Sequence, residues 1–176
     1  MGGFLFLSVL FNNMKLYSSL DEALRDTAFE NDVARVCIFD FVDDFFMCGH
    51  IFTKQIEPHI GWLKVCLERL NQPQDIVYDS CSLFGELTMN AYRWVERAGD
   101  FCITFVYIGE KGIVVGTKQN NHFLSPGQIA LLENGERVLT ARAGSASGGT
   151  DLITDVADGL LILEKEKSIY VAKYFL

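Results

Sequence analysis

The sequence is poor in proline, with three residues, and it has no Cys-x-x-Cys pair, no run of Lys or Arg and no long apolar segment. The scarcity of proline and an aromatic content of 12% argue against a disordered chain. With 15 basic and 23 acidic side chains, the net charge is −8, and no basic patch is present to hold a phosphate backbone. We therefore expect no nucleic-acid partner.

The longest apolar stretch near the start, Gly3 to Phe11, is too short to cross a bilayer. It also lacks the cationic start and the small-residue cleavage site of a signal peptide. The five cysteines are scattered along the chain, which is typical of free, buried thiols in a reducing compartment. We expect a cytoplasmic protein that does not bind membranes.

A length of 176 residues suits one domain, for which hydrophobic periodicity and turn signals predict the elements. Strand patterns cover residues 4–11, 33–42, 50–56, 101–109, 111–118, 160–164 and 168–175, and helix patterns cover 19–30, 59–70, 73–97, 126–133 and 150–157. This order predicts an α+β fold, a two-layer sandwich whose mixed, mostly antiparallel sheet carries helices on one face. We divide the chain into an N-terminal α/β extension, 1–47, and a main domain, 48–176.

The longest predicted helix carries a polar pair beside an apolar stripe, which consists of Val77, Cys81, Phe84, Leu87, Ala91 and Trp94. Glu86 and Asn90 are four residues apart, so their side chains project from the same face of the helix. A carboxylate there could polarise a water molecule while the neighbouring amide oxygen coordinates Mg²⁺. Many solvated helices also carry such a pair, so this spacing alone does not identify a site.

The order of the motifs is more informative than the pair itself. A helix with Glu-x-x-x-Asn-Ala is followed by a strand hairpin, an irregular loop, Gly-Gly before a helix, and a closing hairpin. This order resembles the Bergerat-fold ATPase domain of the GHKL superfamily, which includes gyrases, heat-shock chaperones, histidine kinases and anti-sigma-factor serine kinases. The resemblance covers residues 50–176 and is greatest to the anti-sigma-factor kinases.

The resemblance implies roles for particular residues. Residues 86–91 are similar to the family's N box, which implies that Glu86 is the general base and that Asn90 binds Mg²⁺. Arg93 stands where members often carry a basic residue near the phosphates of ATP. Residues 144–152 look like the second glycine box, which implies that backbone amides around Gly148, Gly149 and Thr150 hold those phosphates.

One family motif is missing. The first glycine box, Asp-x-Gly-x-Gly, should lie near residues 117–123, where the chain reads Thr-Lys-Gln-Asn-Asn-His-Phe. The aspartate that would accept a hydrogen bond from the adenine amino group is absent, as are both glycines. Thr117, Gln119 or Asn120 could offer a neutral acceptor instead.

Two functions remain open on the sequence. The first is an ATP- and Mg²⁺-dependent serine-protein kinase or ATPase that regulates a protein signalling partner. The second is a nucleotide-free pseudo-ATPase that acts through protein contacts alone. The aromatic residues Phe39, Phe41, Phe45 and Phe46 fit either core packing or a partner surface, and the N-terminal extension is a candidate for homodimerisation.

Overall fold

The computed structural model describes residues 14–30, 33–40, 48–136 and 153–175, of which 48–53 are described by their backbone alone. The strands are β1 (Lys15–Leu16), β2 (Val33–Asp40), β3 (Phe101–Ile108), β4 (Gly112–Gln119), β5 (Gly159–Leu163) and β6 (Ser168–Tyr174). The helices are α1 (Leu20–Asp26), α2 (Cys48–Arg69), α3 (Gln74–Tyr92) and α4 (Pro126–Glu133), and residues 153–156 are also helical.

The strands form one sheet in the order β1-β5-β6-β4-β3-β2. β1 pairs with β5 in parallel, whereas the other neighbours pair antiparallel. The predicted α+β class with a mixed, mostly antiparallel sheet is therefore confirmed. The sequence pattern indicates this class because a short turn joins the two strands of each hairpin, β3–β4 and β5–β6.

The main core lies between one face of the sheet and helices α2 and α3. Its largest buried side chains include Leu63 and Leu67 from α2, Phe84 from α3, Phe39 from β2, Val106 and Ile108 from β3, and Ile113 and Val115 from β4. A smaller core lies on the opposite face, where Ala23 of α1 packs near Val114, Leu161 and Tyr170. α1 thus covers the part of that face formed by β4, β5 and β6.

Residues assigned to the N-terminal extension take part in the same sheet. β1 forms one edge of the described sheet and β2 forms the other, with all eight β2 residues in register with β3. The division of the chain at residues 47 and 48 stays a prediction. The predicted strand 4–11 and Phe41, Phe45 and Phe46 lie outside the described residues.

The predicted strand at residues 50–56 is wrong, because this segment is the first part of α2. Pro58, which directly precedes the predicted helix 59–70, lies inside α2 instead. A proline at an exposed helix position leaves the carbonyl four residues earlier facing water, which limits the cost. The buried side chains of Ile56, Leu63 and Leu67 hold the whole helix on the core.

Two predicted helices end earlier than expected. α1 stops at Asp26, after which the Thr27 hydroxyl donates to the Ala23 and Leu24 carbonyls and Ala28 has a φ of 52°. α3 stops at Tyr92 rather than at residue 97. In contrast, α4 has the predicted bounds. Among the described helices, none is both long and apolar enough to cross a membrane.

Candidate functional site

The candidate site lies on α3, which packs across β3 and β4. The apolar positions Val77, Phe84, Leu87 and Ala91 are buried against the sheet, as the sequence pattern predicts. Cys81 is half-buried, and Trp94, predicted to continue this stripe, lies beyond the end of the helix. The burial of one face determines where the polar side chains of α3 can point.

The two sides of α3 have different neighbours. A Cβ atom on Gly85 would contact Ile60 Cδ1 of α2 at 3.8 Å. Burial raises the pKa of the Cys81 thiol, and the charges that act on this thiol belong to Lys64 and Glu68 of α2. The side of α3 that carries Cys81 and Gly85 therefore faces α2.

Asn90 lies on the other side of the helix. It follows Cys81 by nine residues, about 2.5 turns at 3.6 residues per turn, so the two side chains point in opposite directions. Glu86 is one turn before Asn90, and both are half-exposed. We call the α3 surface formed by Glu86, Asn90 and Arg93 the N-box flank, which faces away from α2.

Arg93 contacts the predicted magnesium ligand directly. Its Nη1 donates a hydrogen bond of 2.9 Å to Asn90 Oδ1, which holds the carboxamide in one orientation. Within the described part of the chain, the Glu86 carboxylate makes no hydrogen bond or ion pair. Of the predicted site residues, Glu86, Asn90 and Arg93 thus lie together on one surface, and no described group binds the carboxylate.

Thr117 lies at the same level along α3 as the N-box flank. Thr88 Oγ1 is 3.0 Å from Thr104 Oγ1 of β3, and Thr104 pairs with Thr117 of β4. Residue 88 is midway between Glu86 and Asn90, about 3 Å along the helix axis from each. Thr117 is buried on the helix-facing side of the sheet, so its hydroxyl lies between the sheet and α3, next to that of Thr104.

The side chain of Asn120 is hydrogen-bonded to the backbone. Its Oδ1 accepts from the Phe101 N–H at 2.9 Å, and its Nδ2 donates to the Gly99 carbonyl at 2.8 Å. These bonds fix the start of β3 against the end of β4. Asn120 Oδ1 therefore keeps one of its two lone pairs for an adenine amino group in this arrangement.

Residues 119–122, which stand where the first glycine box was expected, bind to the end of α3. The rings of His122 and Trp94 stack with centroids 3.7 Å apart, and Asn121 Nδ2 donates to the Trp94 carbonyl. Lys167 Nζ donates to the carbonyls of Asn120 and Asn121 at 3.0 and 2.8 Å. The loop's side chains thus hold the end of α3, and its backbone carbonyls hold Lys167 of the β5–β6 hairpin.

Asp100 fixes the turn that follows α3. Its Oδ2 accepts from the backbone N–H groups of Glu96 and Arg97 at 3.0 and 3.2 Å. Burial by itself raises the pKa of Asp100, but the hydrogen bonds that Glu96, Asn121 and Arg97 donate to the carboxylate lower the pKa by more. The pKa is therefore below its usual value.

An open pocket of about 290 Å³ lies at this end of α3. It is lined by Trp94, Glu96, Arg97, Asp100, Asn121 and His122. Sequence reasoning missed this cluster, because it placed Trp94 in the apolar stripe of α3 and gave His122 no role. The nearest signal in the sequence was the run of amide side chains at 119–121, whose hydrogen-bonding capacity exceeds what a solvated turn needs.

The donor set of the N-box flank fits a nucleotide-bound Mg²⁺. Carboxylate and amide oxygens are hard ligands, and Mg²⁺ is commonly held by one or two protein oxygens together with substrate phosphates. No cluster of three or more His, Cys, Asp or Glu side chains occurs among the described residues, so a metal cage built from protein alone is not seen there. The predicted phosphate-binding residues Gly148, Gly149 and Thr150 lie outside the described residues.

Comparison of the sequence with models of protein families and with curated proteins finds no match.

Proposed function

We propose that the protein is an ATPase- or kinase-like signalling regulator that binds Mg–ATP beside the N-box flank. The observation that supports it is the placement of Glu86 and Asn90. Both are half-exposed one turn apart, on the side of α3 that faces away from α2. The order of α3, the β3–β4 hairpin, α4 and the closing β5–β6 hairpin also accords with the resemblance to Bergerat-fold ATPases.

Each residue of the flank has a task in this proposal. Asn90 Oδ1 would hold the magnesium ion, and the hydrogen bond from Arg93 orients that oxygen. Glu86 accepts a proton from an attacking water or hydroxyl group, a task that needs a carboxylate not already engaged. The bound Mg²⁺ supplies charge neutralisation for the phosphates.

A second candidate follows from the loop at residues 119–122. Because Asn120 Oδ1 already accepts from the Phe101 N–H, it offers an adenine amino group only one neutral lone pair in place of the missing aspartate. Thr117 retains a hydroxyl, but a neutral acceptor binds more weakly than a carboxylate. A nucleotide-free pseudo-ATPase that regulates a signalling protein through surface contacts is therefore the alternative.

Calorimetric titration of the full chain with ATP, with and without Mg²⁺, separates the two. We expect saturable, Mg²⁺-dependent binding that Asn90→Ala abolishes. Asp79→Asn is the matched control, since Asp79 is a half-exposed acidic residue of the same helix about two turns before Glu86. Absence of heat at millimolar ATP would support the alternative, and binding unchanged in Asn90→Ala would contradict the proposed site.

Glu86→Gln tests the catalytic role separately from binding. It keeps the size and polarity of the side chain but removes the base, so ATP binding should persist. Removing a general base typically lowers the rate by about 10²–10⁴-fold, which a phosphate-release assay detects. A variant that hydrolyses ATP at the original rate would show that Glu86 is not the base.

We also propose that the protein is cytoplasmic, because free, buried thiols are typical of a reducing compartment. Among the described cysteines, Cys37, Cys66, Cys81 and Cys102 are free thiols. Burial raises the pKa of each of them, in Cys102 to about 12, so they are poor nucleophiles that suit packing.

A further inference from the structure

The two edges of the described sheet differ in how they are protected. β1 has only two residues and carries Lys15, and short strands and lysines are common defences against strand pairing. β2 at the other edge has eight residues in unbroken register with β3. It contains no lysine, proline or glycine, so its outer edge is a regular template for another strand.

The exposed face of β2 is also apolar. Cys37 and Phe39 point into the core beneath α2, whereas Val36 and Ile38 point to the opposite face and are 58% and 62% exposed. On that face Val36 is paired with Phe105 and Ile38 with Ile103, both only half-buried. α1 covers the face over β4 to β6, and the described residues leave this part uncovered.

β2 is complementary to a second copy of itself in the antiparallel direction. In a two-fold pair the side chains opposite each other must share a face, so the two residue numbers must add to an even number. A pair centred on Cys37 aligns residues 34–40 of the two copies, which places Val36 opposite Ile38 of the second copy. Such an alignment forms roughly six to eight backbone hydrogen bonds, because alternate residues each supply two.

The charges of β2 favour the same arrangement. Arg35 lies near the start of the strand and Asp40 at its end. Antiparallel pairing centred on Cys37 places Phe39 opposite Arg35 and Ala34 opposite Asp40. No two like charges face each other, because Arg35 lies on the face covered by α2 and Asp40 on the opposite face. Parallel pairing in register would instead place each charge beside its own copy.

We propose that the chain forms a symmetric dimer through antiparallel pairing of β2 with β2 of a second copy, centred on Cys37. The two sheets join into one, with Val36 and Ile38 of both copies forming a continuous apolar strip. This inference does not depend on nucleotide binding. Sedimentation velocity of the full chain over a concentration series should show a reversible monomer–dimer equilibrium.

The register can be tested by two double variants. Val36→Lys/Ile38→Lys places lysines opposite each other in the proposed pair, so the dimer should dissociate. Val36→Lys/Ile38→Glu introduces the same lysine but places a glutamate opposite it, so the dimer should return. We expect the dissociation constants of these two variants to differ by at least about tenfold, which corresponds to ~1.4 kcal/mol.

Tyr78→Lys is the matched control, because Tyr78 is an exposed apolar residue of α3, 73% exposed and away from β2. It should dimerise like the original chain, and circular dichroism should show that all variants are folded. A chain that is monomeric at every concentration overturns the proposal. A dimer that persists in Val36→Lys/Ile38→Lys also overturns it, because another surface would then be used. So does failure of Val36→Lys/Ile38→Glu to restore the dimer, because the register would then be different.

Discussion

The buried hydroxyl pair beneath α3 allows a quantitative test of the packing that positions the N-box flank. Thr88 Oγ1 donates to the Phe84 carbonyl at 2.7 Å, so it is the acceptor in its 3.0 Å contact with Thr104. Both threonines are fully buried. Thr88→Val keeps the branched shape but removes the acceptor, which leaves the Thr104 hydroxyl without this partner.

The expected loss follows from the cost of an unpaired buried hydroxyl. Leaving one donor unsatisfied typically costs about 1–3 kcal/mol, whereas replacing both partners by apolar groups is nearly neutral. Thr88→Val should therefore lower the free energy of unfolding by about 1–3 kcal/mol, or roughly 2–4 °C in Tm for each kcal/mol. Thr88→Val/Thr104→Val should lose less than the sum of the single variants.

Urea unfolding followed by circular dichroism measures these differences, provided that the m-values stay constant. Ser80→Ala is the matched control, because Ser80 is buried on the same helix and its Oγ finds no hydrogen-bond partner in the described part of the chain. Its removal should leave stability unchanged or raised. Additive losses in the two threonine variants, or a loss in Ser80→Ala, would refute the assignment of the bond.

Two further predictions concern glycine packing and acid stability. Gly116→Ala should lower the free energy of unfolding by about 1–3 kcal/mol, because the new Cβ would collide with the Tyr170 ring. Gly127→Ala places a Cβ where no neighbour lies, so it should stabilise α4 by up to about 1 kcal/mol. Thermal unfolding of both variants measures these differences. Since the folded-state pKa of Asp100 is lowered, its contribution is present above the ordinary carboxyl pKa and is lost as the pH falls through the lowered value. The stability gap between the original chain and Asp100→Asn should thus be constant above about pH 5 and should narrow as the pH falls below the ordinary carboxyl pKa of about 3.9, as urea melts will show. A gap that does not vary with pH would contradict this prediction.

The sequence predicts much of the fold because turn and cap signals are local. Ser125 opens α4 with a reciprocal bond to Gln128, and residues 109–112 turn between β3 and β4. The strand prediction for residues 50–56 is wrong because the alternating pattern of this segment competes with a helical one. Ile56 lies one turn before Ile60, so the apolar stripe of α2 continues across Pro58.

The candidate site is predictable only where it lies on one element. Glu86, Asn90 and Arg93 share a helix, so their spacing places them on one surface. The stack of Trp94 on His122 joins residues 28 apart in sequence, at the ends of α3 and β4. The periodicity of a single element carries no information about such a contact, because it depends on how α3 lies across the sheet.

The two proposed surfaces lie on different sides of the α2–α3 layer. α2 lies over β2, since Arg35 stacks on Trp62 at 4.8 Å and Phe39 meets His59 edge to face. The N-box flank faces away from α2, so pairing of β2 with a second copy leaves Glu86 and Asn90 accessible. Because a ligand shifts an equilibrium only through a difference in affinity between the two states, ATP should not change the dimer dissociation constant. A shift with Mg–ATP would contradict this independence of the two surfaces.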